Sequence, residues 1–243
     1  MDPSLIDAHL TADGWKQVVG LHKHIRTINL ELELIVVSPM TRTLETATGV
    51  FGTAECPMGG AVKVLMAPTG EAEELCEERP ALYSDGCPPI LACELVREQL
   101  GRNPCDKRRP MSELKLAFPG VDFSQVESES DTQWEAYGAE RREGVADIQA
   151  RARQFLEWLE SRPEKRIAVV AHSAFLTLGL LPLFIGLPHY DPELSDSMGV
   201  YFQNCEMRSY TMSSSNHLGP KSESHPWAFL GGREAVKEEG TGS

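Results

Sequence analysis

A chain of 243 residues with 41% hydrophobic and 24% charged side chains has the length and balance of one soluble α/β domain with a sizeable core. Acidic residues outnumber basic ones 36 to 23, and the formal net charge of -13 argues against nonspecific binding to nucleic acid or to an anionic membrane. No apolar run approaches the roughly 20 residues of a membrane span. No basic region followed by an apolar core marks a signal peptide. Cys56, Cys76, Cys87, Cys93, Cys105 and Cys205 show no CxxC pairing, so free thiols in a reducing, cytoplasmic setting are expected rather than disulfides or zinc.

In chain order, Thr11 caps a helix on which Trp15, Val18, Val19, His22 and Ile25 share a face. The run Leu32 to Val37 is short, apolar and rich in branched residues, and reads as a buried strand. Ser38 is a good N-cap, Pro39 suits the first helical position, Leu44, Thr48 and Phe51 fall at helical spacing, and Gly52 is placed to stop that helix. Val62 to Met66 is a candidate strand. Residues 71–78 carry five glutamates in eight positions and read as a solvated helix or loop. Pro80 to Pro89 reads as loop, and Ile90 to Leu100 has helical spacing at Leu91, Leu95 and Val96. Asn103 to Glu129 is expected as a long insertion over the active face. Arg142 to Glu160 predicts a helix with Val145, Ile148, Ala152, Phe155, Leu156 and Leu159 as its stripe. Ile167 to Ala171 reads as a buried strand, and Ser173 caps an apolar helix through Leu181, with Pro182 near its end. Gly199 to Met212 holds one or two strands. Beyond it, 213–243 reads as a flexible tail, leaving 1–212 as the domain.

Arg42 thus sits in the first turn of a helix that starts where a strand ends, the place where open α/β sheets put ligands. An anion there meets a guanidinium together with helix N-terminal amides. The other reading is a surface arginine on an amphipathic helix.

Ser38-Pro39-Met40-Thr41-Arg42-Thr43-Leu44-Glu45-Thr46-Ala47 resembles the second arginine motif of the histidine phosphatase superfamily, the phosphoglycerate mutase-like proteins. Ile167-Ala168-Val169-Val170-Ala171-His172-Ser173 resembles that family's strand ending in its second active-site histidine. Pro104 to Arg109 and Asn204 to Arg208 resemble a plant and protist branch of the family, and the likeness runs from Asp7 to about Tyr210. It implies a three-layer α/β/α fold with a mostly parallel sheet. The family's nucleophile is the histidine of an Arg-His-Gly motif on the first strand, and this sequence contains no Arg-His pair. The first strand is therefore expected to be missing from the chain as read, and His9, in an Asp-x-x-Leu-Thr loop, is not expected to replace that histidine.

The resemblance implies roles for the residues that remain. Arg42 and His172 would stabilise phosphoryl oxygens, a charge term often dominant in catalysis. Glu98 would protonate the leaving oxygen, with Glu94 as the fallback. Arg108 and Arg109, helped by Lys107, would clamp an acidic group of the substrate, and Ser173 would join the substrate contacts. Each has a plainer reading: a core histidine, a solvated helix glutamate, a solvated basic turn. Trp15 and Trp158 read as packing residues. No HExxH or carboxylate cluster at ligand spacing is present, so neither metal nor cofactor is expected. Two functions follow: a phosphatase using a phosphohistidine on a small phosphorylated substrate, shortened and weakly active as written, or a pseudophosphatase that binds phosphate without chemistry. A purely structural scaffold explains neither Arg42 nor His172.

Overall fold

A computed structural model describes residues 5–28, 30–56, 63–68, 81–84, 86–185, 201–214 and 227–234. The acidic stretch 71–78, Cys76 and Gly199 lie outside them. At the centre is a parallel sheet in the order β4 (Ile90–Ala92), β1 (Leu34–Val37), β5 (Ile167–Val170). In β1, Ile35 and Val37 join one apolar cluster while Leu34 and Val36 join another. That period of two, with every residue buried, marks a strand covered on both faces. On one face lie α2 (Thr41–Phe51) and α3 (Met111–Ala117), which supply Leu44, Ala47, Met111 and Leu114. On the other lie α5 (Val145–Glu160) and the helix that follows β5, which supply Ile148, Phe155, Leu156 and Phe175. This is the three-layer α/β/α arrangement. A further helix, α1 (Ala12–Ile28), packs on α2 through Val18, Leu21 and Val50.

Several elements differ from the sequence expectation. Residues 90–100 are not a helix: Ile90 and Ala92 face one cluster and Leu91 and Cys93 the other, so the stretch is β4 followed by a 3-10 turn at Glu94–Val96. The loop expected over Pro80 to Pro89 contains β3 (Leu82–Tyr83), paired antiparallel with β2 (Val64–Met66). Residues 103–129 are not an overlay. Met111, Leu114, Phe118, Val121, Phe123 and Val126 are buried in the core, and Asp122 exchanges backbone hydrogen bonds with Ile90 and Ala92, covering the outer edge of β4. A short helix, α4 (Thr132–Tyr137), follows, capped by Asp131. The α5 helix starts three residues later than Arg142, and its Val145 is exposed, as is Val19 of α1.

After β5 the chain winds through a π-helical segment, Phe175–Leu180, into α6 (Leu181–Ile185), running past Pro182. The Leu181 N–H reaches back to the Leu176 carbonyl, and a proline, having no N–H of its own, fits directly after that wide turn. The cap position of the π-helical segment is Ala174, without a side-chain bond, so Ser173 is not its cap as expected. Within the stretch expected as a tail, β7 (Trp227–Glu234) pairs antiparallel with β6 (Met207–Ser214). Strand β5 is only half-buried along its length rather than buried, because among the described residues it has a sheet neighbour on one side alone. No helix among the described residues is long and apolar enough to cross a membrane.

Candidate functional site

The three parallel strands end level. Val37 is in register with Ala92 and with Val170, and the next backbone groups interlock: the Ser38 N–H donates to Val170 O and the Cys93 N–H to Val37 O. Whatever follows each strand therefore converges at one edge of the sheet. After β1 come Ser38 and α2 with Arg42, after β5 comes His172, and after β4 the 3-10 turn leads to Glu98. Arg42, Glu98, His172 and Ser173 line one cleft of about 1310 Å³, joined by His9. The cleft also runs along β5 to Met207 and Tyr210 of β6.

The first turn of α2 is capped from a distance. Its N-cap position is Met40, without a side-chain bond, so Ser38 and Pro39 do not start the helix as expected. Instead Asp7, fully buried, accepts from the Thr41 N–H and the Thr41 hydroxyl, both at 2.8 Å, and from the Arg109 N–H at 3.1 Å. Ser38 is engaged elsewhere, its Oγ 2.8 Å from His172 Nε2. Gly52 ends α2 with an extended backbone rather than a left-handed one. A Cβ there would lie 2.5 Å from the Thr48 carbonyl, so close approach is what requires glycine.

Arg42 donates Nη1–H to the Cys105 carbonyl at 2.7 Å and Nη2–H to Asp106 Oδ1 at 3.0 Å, while keeping 23% of its side chain exposed. The 3-10 turn Pro104–Asp106 thus backs the guanidinium. His172 is buried, and desolvation, reinforced by the Arg42, Arg97 and Arg151 guanidiniums, holds its imidazole well below the usual 6.5. That leaves the imidazole neutral at pH 7 in the free protein. Glu98 is pushed the other way. Burial raises its carboxyl and Asp106 adds to that, against the Gln99 N–H and Arg42.

The basic turn is placed differently. Arg108 is fully buried and donates to Glu94 Oε1 and to the carbonyls of Arg109, Ser128, Glu129 and Ser130. Its guanidinium holds the loop before α4 and does not line the cleft. Glu94, the fallback acid, is taken by Arg97 at 2.8 Å and Arg108 at 3.0 Å. Arg97, also fully buried, donates to Asp131 Oδ2 at 2.6 Å and to the Asp106 carbonyl at 2.8 Å. Lys107 pairs with Glu135 and lies over the Trp134 ring. Arg109 Nη2 is 2.8 Å from His9 Nε2, and His9 Nδ1 is 2.6 Å from Glu45, one helical turn beyond Arg42. An arginine facing Nε2 makes that nitrogen the acceptor and Nδ1 the N–H that donates to Glu45.

Asp7, Glu45 and Asp106 were not singled out from sequence, and Ser38 was read only as a helix N-cap. Each acts on a partner 34 to 134 residues away. Asp7 and Asp106 lie inside the Asp-x-x-Leu-Thr and Pro104–Arg109 stretches, but as single acidic residues they carried no periodic signal.

Residues 93–212 match the Histidine phosphatase superfamily (branch 1). The chain is 41% identical over 219 residues to an Arabidopsis thaliana phosphoglycerate mutase-like protein, covering 89% of this chain and 77% of that one. It is 40% identical over 227 residues to phosphoglycerate mutase-like protein 1 of the same plant, covering 91% and 76%. Among solved structures, similarity extends to a mycobacterial glucosyl-3-phosphoglycerate phosphatase (17% identity, TM-score 0.47, covering 92% of this chain and 87% of that one). It extends also to the ecdysone phosphate phosphatase of Bombix mori (14% identity, TM-score 0.46, covering 78% and 62%). On the strength of the Arabidopsis relatives, the chain belongs to the phosphoglycerate mutase-like proteins of the histidine phosphatase superfamily.

Proposed function

We propose that the cleft takes the phosphoryl group of a small phosphorylated substrate and that the site is of the phosphatase type. The observation that carries the reading is the convergence of Arg42, Glu98, His172 and Ser173 on one cleft at the C-terminal edge of the parallel sheet. Arg42, held by the Cys105 carbonyl and Asp106, meets the phosphoryl oxygens. His172 supplies a second contact to them and becomes a better donor once the anion is in place. Glu98, whose carboxyl is raised by burial, is the acid for the leaving oxygen. His9 lines the cleft and is available to other polar groups of the substrate, while Arg109, like Arg108, does not line it and acts there only through His9. Arg108 serves the loop instead.

The test is anion binding. Phosphate or vanadate raises the melting temperature of the parent by linkage, and Arg42→Ala loses at least half of that shift. An equal shift in both proteins removes Arg42 from the site. A second reading, a phosphate-binding regulatory module without catalysis, is favoured by one observation: the sequence contains no Arg-His pair to furnish the family's nucleophile. Without covalent catalysis, positioning and charge leave only residual turnover. The chain as given is therefore expected to hydrolyse an aryl phosphate very slowly and to yield no phosphohistidine under alkaline trapping. Turnover within tenfold of an ordinary phosphatase, with a phosphorylated histidine in this chain, would select the enzyme over the binding module.

A further inference from the structure

Asp106 raises an electrostatic question. It is nearly fully buried and its carboxylate lies on Arg42. An isolated pair of that kind cancels the charge an incoming anion is meant to find. The structure resolves this with a second guanidinium. Arg142 Nη1 donates to the other oxygen, Asp106 Oδ2, at 2.9 Å, and Asn103 Nδ2 adds a neutral bond to it at 3.2 Å. Two arginines share one carboxylate, which leaves one positive charge in excess. The neighbouring cluster contributes none, because Arg97 and Arg108 are matched by Glu94 and Asp131. In a chain of net charge -13, the surplus at the backing of Arg42 comes from Arg142.

Arg142 is put there by a specific piece of backbone. Gly101 and Arg142 form an antiparallel bridge, and Arg142 Nη1 also donates to the Gly101 carbonyl at 3.1 Å. Gly101 has φ 80°, and a Cβ on it would lie 2.4 Å from the Arg141 carbonyl and 2.5 Å from Tyr137 Cβ. Only glycine permits both that conformation and that approach. Arg142 precedes α5 and does not line the cleft, so it has no direct route to a ligand there.

We propose that Arg142 and Asp106 are positioning residues of the anion site. Asp106, with the Cys105 carbonyl, fixes the guanidinium of Arg42, and Arg142 draws off enough of the Asp106 charge for Arg42 to attract a phosphate. This rests on the phosphate-site reading. It predicts a coupling that a structural ion pair does not have. Losing Arg142 leaves Asp106 wholly to Arg42 and weakens anion binding, whereas losing the Asp106 charge first removes the carboxylate the two arginines share and shrinks the effect of Arg142 to its own longer-range attraction.

The experiment measures inorganic phosphate affinity by calorimetry for the parent, Arg142→Gln, Asp106→Asn, the double variant, Arg142→Lys and Arg42→Ala, with urea unfolding run on each. Arg142→Gln is expected to weaken phosphate binding roughly tenfold, a change of about 1.4 kcal/mol. In the Asp106→Asn background the same substitution is expected to change affinity less than twofold. Arg142→Lys keeps the charge and is expected to stay within about threefold of the parent, a rescue that tests the idea even if the glutamine variant unfolds. Binding by the parent that is lost in Arg42→Ala but unchanged in folded Arg142→Gln overturns this proposal and leaves the phosphate site standing. An Arg142→Gln effect of equal size with and without the Asp106 charge also overturns it. No phosphate binding by the parent overturns both.

Discussion

The neutral state of His172 makes the proposed anion binding a proton-linked event. In the free protein the imidazole is buried at the end of β5, its Nε2 against the Ser38 hydroxyl, with Arg42, Arg97 and Arg151 disfavouring a further positive charge. A dianion bound at Arg42 reverses that balance. Each unit of negative charge about 4 Å away contributes about 4 kcal/mol at an effective dielectric constant near 20, and every 1.4 kcal/mol moves the protonation ratio about tenfold. Sulfate is the clean probe because it carries no titrating proton near neutrality. Calorimetric titration of sulfate at pH 7, in buffers of different ionisation enthalpy, is expected to show uptake of roughly half to one proton per anion in the parent. His172→Asn is expected to show none and to bind more weakly. Glu98, raised by burial, is the other group able to take up a proton there. Uptake that survives in His172→Asn and disappears in Glu98→Gln refutes the assignment, as does sulfate binding with no buffer dependence. Without ligand the sign is opposite. The folded value lies below the unfolded 6.5, so between the two the unfolded chain holds more protons. Stability is therefore full above about pH 6.5 and is lost as pH falls through that window, more steeply in the parent than in His172→Asn.

Three further substitutions test the supports of the site, each read by urea unfolding. Asp7→Ala strips the cap from Thr41 and leaves the Arg109 N–H unmet; a loss of about 2–3 kcal/mol is expected, and a change under about 0.5 kcal/mol would mean that the N-terminal segment does not hold α2. Arg97→Met strands Asp131 and Glu94 in a buried setting; about 3–5 kcal/mol is expected, and a neutral or stabilising result would show that the remaining donors to those carboxylates suffice. Gly179→Val drives a side chain into Ile148, whose Cγ2 would stand 2.9 Å from the new Cβ; about 1–3 kcal/mol is expected, and no loss would show that α5 and the π-helical segment are looser than their contact.

The parallel sheet was legible where local pattern and tertiary role coincide. Leu34 to Val37 is a short branched run, buried on both faces, and needs no long-range information to read as a strand. Ile148, Ala152, Phe155 and Leu156 repeat at helical spacing because one face of α5 meets the sheet. Ile90 to Val96 failed because Leu91 and Leu95 are four apart by coincidence. Leu91 points sideways from a strand and Leu95 sits in a tight turn, and only pairing with β1 separates that arrangement from a helix. Residues 103–129 failed for a related reason. Their mixed signals suggested an insertion over the active face, but β4 needed its outer edge covered, and Asp122 supplies that cover with backbone rather than side chain. The strand at Trp227–Glu234 owes its order to β6, not to its own composition.

The site divides along the same line. Arg42 and His172 were placed at strand ends from the sequence, whereas Glu98 was matched only through the family resemblance because its own stretch read as a helix; all three line the cleft since the ends of parallel strands converge whatever lies between them in the chain. Arg108 and Glu94 carried the same residue types and the same motif context as Arg109 and Glu98, yet they turn inward. What sorts them is the demand of the interior. The loop 128–131 turns the carbonyls of Ser128, Glu129 and Ser130 inward, where the planar guanidinium of Arg108 donates to all three while the Arg108 backbone N–H serves the Asp131 carboxylate. Once Arg108 is committed there, Glu94 follows as its counter-charge and Arg97 as the counter-charge of Asp131, and Glu98 is the carboxyl left at the cleft. The division of labour within Glu94-Leu95-Val96-Arg97-Glu98 and Asp106-Lys107-Arg108-Arg109 is therefore set by which acceptors are buried, a property of the folded loop that no spacing in the sequence encodes.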